Sequence, residues 1–388
     1  MKYSKCSFLL WLSFLSPMSI SACHAQDKTV DEQHQQAAIA PLSQPYQIKK
    51  ITEFNEPWAL AVMHDQRLLI TEKAGKLFVF NPQTQQKIVV EGVPQVAYGG
   101  QGGLGDVVLH PDFKQNHIIY FSYAEQGKGG YGAVVVRAVL DEQLSNQPRL
   151  MNLQPIWRQV PKVSGQGHYA HRLAFDSAGK LWISSGERQK FQPAQDIQSN
   201  LGKILRLNDD GSPAIGNPFI AQGPIAAQIW SLGHRNPLGM AFDAQGQLWV
   251  AEMGPRGGDE LNRIYKAANY GYPIVSNGDH YSGRDIPDHT TRPEFQAPEI
   301  SWTPVISPSS LMFYQGSKFP KWTNKALISG LSSQAIIIVD TQTVPVQEVQ
   351  RLAMKQRIRG LVEAEDGSIW GIEDGKHATL FQLTAPKP

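Results

Sequence analysis

The distribution of apolar and polar positions along this chain of 388 residues repeats six times. Each copy has an apolar segment, a polar turn, a second apolar segment and a polar break. The copies read WALAVMHDQRLLITEKAGKLFVF from Trp58, GGLGDVVLHPDFKQNHIIYFSYA from Gly102, RLAFDSAGKLWISSGE from Arg172, LGMAFDAQGQLWVAEMG from Leu238, SLMFYQGSKFPKWTNKALISGL from Ser310 and IRGLVEAEDGSIWGIEDG from Ile358. No long stretch keeps the period of an amphipathic helix, so the pattern predicts strand hairpins.

The turns SAG, AQG and EDG are typical of hairpins that join strands of about five residues. Successive copies begin roughly 45 to 75 residues apart, which suits a four-stranded propeller blade with loop insertions. The sequence therefore predicts an all-β fold, a six-bladed β-propeller over residues 46–385. A pair of β-sandwiches is the competing fold, but sandwiches do not require six similar hairpins. In a propeller, loops from several blades converge over a central funnel, where we expect the functional site.

Residues 1–22 have the features of an export signal. Lys2 and Lys5 give a basic start, and FLLWLSFL is an apolar run too short to span a membrane as a mature helix. The ISAC that follows resembles a bacterial lipoprotein signal, in which the cysteine, here Cys23, is lipidated; a plain secretory signal cut nearby is the alternative. Residues 23–45 are polar and are interpreted as a tether. We therefore expect a periplasmic lipoprotein held on a membrane by its lipid anchor.

The net charge bears on the class of binding partner, and the cysteine content bears on how the mature chain is stabilised. The chain has 36 Lys and Arg against 34 Asp and Glu, and loss of the predicted signal would remove two of the lysines. The remainder is formally neutral, which gives no indication of a nucleic-acid partner. The two cysteines are Cys6 and Cys23, so the predicted mature chain has no internal disulfide and depends on packing or metal ions. No later apolar run of about 18 residues predicts a transmembrane helix.

Two glycine-rich turns precede predicted strands. In GGQGGLGD, which contains Gln101, the glycines let the backbone approach a ligand closely, although the GK[ST] of a phosphate loop is missing. A flexible turn is the alternative there. In SGQGHYAHR, His168 lies just before a strand and is a candidate general base. A surface histidine is the alternative interpretation.

Two further stretches depart from the strand–turn–strand pattern. In GHRNPLG, Arg235 offers a fork of donors to a carboxylate or a quinone oxygen, with a capped polar turn as the alternative. EMGPRGGDELN, followed shortly by NYGYP, offers the carbonyl groups of Gly254 and Pro255 and the carboxylate of Glu260. Oxygen donors without Cys or clustered His favour calcium over zinc. An acidic turn that binds nothing is the alternative.

The motifs GQGH, GHRNP, GPRGGDE and NYGYP, in this order on a propeller, resemble the soluble glucose/sorbosone dehydrogenase family. Within it, the chain is most similar to the bacterial aldose sugar dehydrogenases that use pyrroloquinoline quinone (PQQ), and the resemblance covers residues 57–383. It implies oxidation of aldose sugars at the anomeric carbon to lactones, with PQQ over the funnel and calcium at its edge. His168 would take the proton of the anomeric hydroxyl while hydride passes to PQQ.

The resemblance implies roles for other positions as well. Arg235 would stabilise negative charge on the quinone, and Asn236 would help hold it. The further implied PQQ contacts are Gln101, Arg357 and Arg359, with the two arginines on the PQQ carboxylates. The implied ligands of the cofactor calcium are the carbonyl groups of Gly254 and Pro255, and those of a second, structural calcium are Glu260 and the carbonyl of Tyr270.

Four positions depart from the family pattern. Ser332 or Ser333 stands where the family often has a lysine that contacts PQQ. Glu187 replaces an Asp, and Gly167 replaces an Asp that some members have directly before the catalytic histidine. His171 adds a second imidazole near the site. These differences bear on PQQ retention and on the range of substrates.

Three functions remain open on the sequence alone. The leading hypothesis is the PQQ- and calcium-dependent dehydrogenase, whose small-molecule partner would be an aldose sugar. The alternatives are a propeller binding module that has lost its cofactor and a calcium-dependent hydrolase of the lactonase type. The chain has no CxxCH haem motif, so electrons would pass to a separate acceptor that the sequence does not identify.

Overall fold

The computed structural model describes residues 46–142 and 147–385. The predicted signal, the lipidation site Cys23 and the predicted tether lie outside the described residues. Within them the chain forms 24 strands and one four-residue helix, α1 (Phe113–Asn116), with short 3-10 turns at Gln192–Gln195, Ala226–Gln228, His289–Thr291 and Pro320–Trp322. No helix in this part of the chain is both long and apolar enough to cross a membrane.

The strands form six four-stranded antiparallel sheets, and the first three blades follow one another along the chain. Blade 1 contains β2 (Pro57–Val62), β3 (Leu68–Glu72), β4 (Lys76–Asn81) and β5 (Gln86–Val89). Blade 2 contains β6 (Leu104–Leu109), β7 (Ile118–Gly127), β8 (Gly130–Asp141) and β9 (Arg149–Arg158). Blade 3 contains β10 (Ala170–Phe175), β11 (Leu181–Ser185), β12 (Lys203–Leu207) and β13 (Ile229–Leu232).

The other three blades complete the ring. Blade 4 contains β14 (Pro237–Phe242), β15 (Leu248–Glu252), β16 (Asp259–Arg263) and β17 (Ile300–Trp302). Blade 5 contains β18 (Pro308–Phe313), β19 (Ala326–Gly330), β20 (Ala335–Asp340) and β21 (Gln347–Ala353). Blade 6 contains β22 (Ile358–Glu363), β23 (Ile369–Glu373) and β24 (Ala378–Thr384), and its outer strand is β1 (Gln47–Phe54).

Ring closure comes from both ends of the described chain. The inner strands contact one another in the order β2, β6, β10, β14, β18 and β22, and β22 contacts β2 again. Strand β1 pairs with β24, so the amino-terminal strand completes the last blade. The all-β, six-bladed propeller is confirmed. Each of the six sequence copies supplies the first two strands of a blade, and the first copy also contains most of β4.

The recurring FD…LW pattern has a local cause in the hairpin turn. Asp176 uses Oδ1 to accept backbone N–H groups two and four residues further on, and Oδ2 accepts the indole N–H of Trp182 at 2.9 Å. Asp243 makes the same contacts in blade 4, including the Trp249 indole at 2.9 Å. One carboxylate therefore closes the turn and satisfies the buried indole of the next strand.

The apolar core is divided among the interfaces between neighbouring blades. Trp182 and Ile204 of blade 3 pack with Met240 and Val250 of blade 4. Similar clusters fill each of the other five interfaces, including that between blades 6 and 1. Each fully buried side chain of this size contributes roughly 1.5–3 kcal/mol. Since both faces of a blade are covered, the central strands are apolar along most of their length.

A buried arginine connects the blades at the axis. Arg172 donates from Nη1 to Asp106 Oδ1 at 2.9 Å, from Nε to the Leu238 carbonyl at 2.7 Å and from Nη2 to the Ser309 carbonyl at 2.7 Å. Its guanidinium also lies 4.1 Å from the ring centroid of Trp58. These partners belong to blades 2, 4, 5 and 1, while Arg172 itself belongs to blade 3.

We expect Arg172→Met to destabilise the propeller by about 3–5 kcal/mol, because it leaves the buried Asp106 carboxylate without its cation. Denaturant unfolding followed by tryptophan fluorescence measures the change. Arg351→Met is the matched control, because Arg351 pairs with Glu348 on the exposed side of β21 and a surface pair contributes less than about 1 kcal/mol. Equal unfolding midpoints for the two variants would contradict a structural role of the axial arginine.

Candidate functional site

A shift of strand register recurs at the start of all six inner strands. It lies between Pro57 and Ala59 in β2, and at the corresponding place in β6, β10, β14, β18 and β22. Such bulges redirect side chains near a site. In four of the strands the second residue lines the central cavity, and these residues are Trp58, His171, Leu238 and Arg359.

Three neighbouring cavities lie at this end of the ring. The funnel cavity of about 300 Å³ is lined by Trp58, Lys73, Gln101, His171, Arg357 and Arg359, among others. The outer pocket of about 270 Å³ is lined by His168, Glu187, Phe191, Arg235, Pro255, Tyr272 and Tyr281, among others. The acidic cavity of about 10 Å³ includes Glu252, Gly254, Glu260 and Tyr270 in its lining. Arg235 lines both the outer pocket and the acidic cavity, and Met253 lines both the acidic cavity and the funnel cavity.

His168 is held on two sides. Its backbone N–H donates to Gln101 Oε1 at 2.7 Å, which joins the glycine-rich turn of blade 2 to the histidine turn of blade 3. Its Nδ1 lies 2.5 Å from Glu187 Oε1 in a buried contact, and Glu187 Oε2 accepts the Phe191 backbone N–H at 2.7 Å. Because an ionised carboxylate can only accept, Nδ1 carries the proton and Nε2 is the basic nitrogen of the ring.

Burial, together with the positive charges of Arg235 and Arg188, lowers the pKa of His168 below its ordinary value, although Glu187 acts in the opposite direction. Burial alone would raise the pKa of Glu187, but the hydrogen bond and charge of His168 outweigh it, so the pKa of this carboxyl falls below its usual range. The pair therefore holds a neutral imidazole beside an ionised carboxylate near neutral pH.

Arg235 lies between the outer pocket and the calcium ligands that the sequence predicts. Nη1 donates to the Gly254 carbonyl at 2.6 Å and to the Met253 carbonyl at 3.0 Å, and Nη2 lies 3.5 Å from the Tyr281 hydroxyl. The buried Nε has no hydrogen-bond partner among the described residues. The Gly254 carbonyl is one of the predicted calcium ligands, and in this structure it already accepts a hydrogen bond from the Arg235 guanidinium.

Asn236 is fully buried directly after this arginine. Its Nδ2 lies 3.8 Å from Met253 Sδ, and its Oδ1 has no partner within the described part of the chain. It does not line the three cavities described above.

The two arginines before the last blade share one carboxylate. Arg357 Nε donates to Asp374 Oδ2 at 2.8 Å, and Arg359 donates to Asp374 Oδ1 from Nε at 2.8 Å and from Nη2 at 2.5 Å. Arg359 Nη1 also donates to Ser309 Oγ at 3.1 Å. Since one carboxylate balances two guanidinium groups, this wall of the funnel cavity keeps an excess of positive charge.

The acidic cavity is a site of oxygen donors. Glu260 accepts from Asn262 Nδ2 at 3.0 Å, and the same amide donates to Glu252 Oε1 at 2.9 Å. Burial and the adjacent Glu252 raise the pKa of Glu260 well above its ordinary value. The carbonyl of Tyr270 lies 3.1 Å from His289 Nε2. Among the described residues, no group of three or more His, Cys, Asp or Glu side chains is arranged to hold a metal ion, so a cation here would depend partly on backbone carbonyls.

The two serines that stand where the family often has a lysine have hydrogen-bond partners within the protein. Ser332 Oγ lies within hydrogen-bond distance of the Val305 carbonyl at 3.1 Å and of Ser307 Oγ at 2.8 Å, and Ser333 Oγ donates to the Ile306 carbonyl at 3.2 Å. Both hydroxyl groups therefore form hydrogen bonds with the loop that precedes β18.

The other two departures from the family pattern are Gly167 and His171, and both depend on the space that neighbouring residues leave. A Cβ on Gly167 would lie 2.5 Å from Gln189 Oε1, which leaves no room for an aspartate there without movement of Gln189. His171 is buried, and a Cβ on Gly105 would lie 2.1 Å from its Cε1, so glycine at 105 makes space for this additional imidazole. Burial lowers the pKa of His171 to about 3, so it is neutral at physiological pH.

Sequence reasoning gave no role to His234 and Glu252, which fix the GHRN turn. His234 is fully buried between Ser231 Oγ and Glu252 Oε1, each at 2.9 Å, and its ring stacks on Tyr270 at 4.5 Å. Glu252 Oε2 accepts the backbone N–H of Arg235 at 2.8 Å. The histidine beside the arginine in GHRN was the available signal, because an imidazole next to a site arginine needs a carboxylate partner when buried.

Fold and site together define a β-propeller with a polar funnel site built from the loops of several blades. The family described as glucose/sorbosone dehydrogenase matches residues 54–382. The chain therefore belongs to the glucose/sorbosone dehydrogenase family, which confirms the resemblance and makes this protein an enzyme, a dehydrogenase.

Individual relatives agree with this assignment. The chain is 37% identical over 341 residues to the aldose sugar dehydrogenase YliI of Escherichia coli K12, which covers 86% of this chain and 91% of that protein. The apo-form crystal structure of the soluble aldose sugar dehydrogenase from Escherichia coli superimposes with a TM-score of 0.82 at 35% identity, covering 88% of this chain and all of that one. The PQQ-bound form of the aldose sugar dehydrogenase from Streptomyces coelicolor superimposes with a TM-score of 0.72 at 26% identity. This match covers 89% of this chain and all of that one.

The His168–Glu187 pair makes a prediction that does not depend on the reaction. We expect His168 to titrate below pH 6.5 and to titrate lower still in Glu187→Gln, because the carboxylate favours the protonated ring and its loss removes that effect. NMR of protein with labelled histidine measures both values. Glu294→Gln, at an exposed carboxylate, is the control and should leave His168 unchanged. A higher pKa in Glu187→Gln would show that the carboxylate does not act on the ring as described.

Proposed function

We propose that this protein oxidises aldose sugars at the anomeric carbon to lactones, with PQQ as cofactor, calcium at the site and His168 as the base. The observation that carries the proposal is the buried His168–Glu187 pair, which presents Nε2 in a pocket shared with Arg235. The names of the similar proteins support it, because they include aldose sugar dehydrogenases and one PQQ-bound form.

The residues of the funnel cavity fit PQQ, which carries three carboxylates on a planar ring system. Arg357 and Arg359 share Asp374 and so keep positive charge for an anionic ligand. Trp58 offers an aromatic surface, and Gln101 offers an amide in the same cavity. Arg235 lines the neighbouring outer pocket rather than the funnel cavity, and its unpartnered Nε is a buried donor that an oxygen bound in that pocket would satisfy. When bound, PQQ supplies the acceptor for the two electrons of the sugar.

His168 acts as the general base in this proposal. Glu187 holds Nδ1–H, which leaves Nε2 free to take the proton from the anomeric hydroxyl. The imidazolium that forms is stabilised by the same carboxylate. Arg235 places its guanidinium beside the base and can stabilise negative charge that develops on an oxygen in the pocket.

The outer pocket is lined by both aromatic and polar side chains, a combination that suits a sugar. Phe191 and Tyr272 stack at 6.3 Å between ring centroids, and Tyr281 lines the same wall. Gln189 and Ser282 add polar groups to the lining. Aromatic faces suit the C–H surfaces of a pyranose, and polar side chains suit its hydroxyl edge.

Glu260 is the side chain that best supports a calcium site. Its buried carboxylate lies near Glu252 and receives one hydrogen bond, from Asn262, so a divalent cation would offset the concentrated negative charge. The carbonyl of Tyr270 would join Glu260 at this structural site. The carbonyls of Gly254 and Pro255 would hold the separate cofactor calcium. Gly254 and Tyr270 already have partners, which the second lone pair of each carbonyl allows them to keep.

The proposal predicts activity after reconstitution. Purified protein given PQQ, calcium and an aldose should reduce an artificial electron-accepting dye, and His168→Ala should lower this rate by about 10²–10⁴-fold, the usual contribution of a general base. His377→Ala is the matched control, because the His377 side chain is 88% exposed and should leave the rate unchanged.

The alternatives give different results in the same assay. A binding module without cofactor would bind no PQQ and reduce no dye. A lactonase would hydrolyse lactones with calcium alone. Dye reduction that survives His168→Ala would remove this histidine from the reaction.

The calcium site predicts a stability effect. After treatment with a chelator, added calcium should raise the melting temperature of the wild type by several degrees, because a ligand at about 100 times its Kd stabilises by about 2.7 kcal/mol. Glu260→Gln should lose most of this rise, whereas Glu294→Gln, at an exposed position, should keep it. A full calcium-dependent rise in Glu260→Gln would place the ion elsewhere.

A further inference from the structure

Lys73 is a positively charged residue of the funnel cavity that has no part in the proposed mechanism. It directly follows β3 in blade 1, and it lines the same cavity as Gln101, Arg357 and Arg359. Its side chain is 17% exposed, so the ammonium group lies at the wall of the cavity rather than in bulk solvent.

The ammonium group has few fixed partners. Nζ donates to the Gly100 carbonyl at 3.1 Å, and its distance to Glu56 Oε1 is 3.9 Å. The other oxygen of Glu56 accepts the hydroxyl of Tyr98. Lys73 therefore makes one hydrogen bond within the described residues, whereas an ammonium group has three donors. The two arginines of the cavity are, by contrast, tied to Asp374.

The backbone of Lys73 is fixed by two neighbouring segments. Its N–H donates to the Glu56 carbonyl at 3.0 Å, and its carbonyl accepts the N–H of Leu104 at 2.9 Å. A Cβ on Gly103, whose φ is +128°, would lie 2.2 Å from the Lys73 carbonyl oxygen. The glycine-rich turn that carries Gln101 thus packs directly against the lysine backbone, and this contact requires glycine. The side chain starts from a fixed position while its charged end remains available.

We propose that Lys73 binds a carboxylate of the cofactor and so completes a set of three cations in the funnel cavity. This inference rests on the proposed use of PQQ. The lining holds Lys73, Arg357 and Arg359 against the carboxylates of Glu56 and Asp374, so positive charge is in excess before a ligand enters. A ligand with three carboxylates is attracted by this excess, and the free donors of Lys73 give one carboxylate a charge-assisted hydrogen bond. Ser332 and Ser333 do not supply this contact, because their hydroxyl groups bond to the loop before β18.

The test measures PQQ binding directly rather than activity. Apoprotein is titrated with PQQ, and the quenching of tryptophan fluorescence gives Kd, since Trp58 lines the cavity. We expect Lys73→Met to weaken binding by about 10-fold or more, the effect of one charge-assisted hydrogen bond. Lys73→Arg should restore most of the affinity, because it keeps the charge. Lys76→Met, an exposed lysine at the start of β4, is the matched control and should bind as the wild type does.

The dependence of Kd on salt separates a charge contact from a structural effect. A variant that loses a cation at the ligand should show a shallower decrease of affinity with ionic strength. Thermal unfolding without PQQ is the control that tests whether Lys73→Met is folded. If the wild type binds PQQ and Lys73→Met binds equally well, the role of Lys73 is overturned while the proposed function stands. If the wild type binds no PQQ, the proposed function itself fails and the role of Lys73 falls with it.

Discussion

The buried guanidinium of Arg172 at the propeller axis is the interaction on which the rest of the structure depends. It joins the carboxylate of Asp106 to carbonyl groups from two other blades and lies over Trp58 of a fourth. Blade 6 is attached through Ser309, whose hydroxyl donates to the Arg359 carbonyl at 2.8 Å. A charge this deeply buried is tolerated because each of the three guanidinium nitrogens has a partner and one of those partners is a carboxylate. Since Trp58 and Arg359 also line the funnel cavity, the contacts that hold the axis together also position the site.

Buried carboxylates extend this connection outward to the turns of the candidate site. Glu187 of blade 3 holds the His168 ring, and its backbone N–H donates to the carbonyl of Arg235, which precedes blade 4. Asp259 accepts the N–H of Gly254 at 2.8 Å with one oxygen and the N–H of a residue before blade 5 with the other. Two turns of the site are therefore tied to their neighbours, one through the backbone of Glu187 and the other through the carboxylate of Asp259.

The sequence predicted what arises from local patterns. The six hairpins follow from apolar segments on either side of polar turns, and their number was enough to predict the propeller. The pairing of β1 with β24 could not be predicted, because it joins segments more than 300 residues apart and β1 lies outside the repeat. In the site, the motifs pointed to His168 and Arg235 because unusual residues interrupted the pattern. Lys73 gave no such signal, because its TEKAG turn is an ordinary hairpin and only ring closure brings it beside the arginines of blade 6.

The charges around His168 act in two opposing ways on the base role that is proposed for it. A carboxylate such as Glu187 orients the ring, but it also favours the protonated form, in which the base cannot act. Burial and the nearby guanidinium of Arg235 act in the other direction and keep the ring neutral. In the proposed mechanism, one arginine would thus keep the base neutral before proton transfer and would stabilise a developing oxyanion afterwards. Arg235 itself is held by the Gly254 carbonyl, so the geometry of the GP turn sets how closely that positive charge approaches the base.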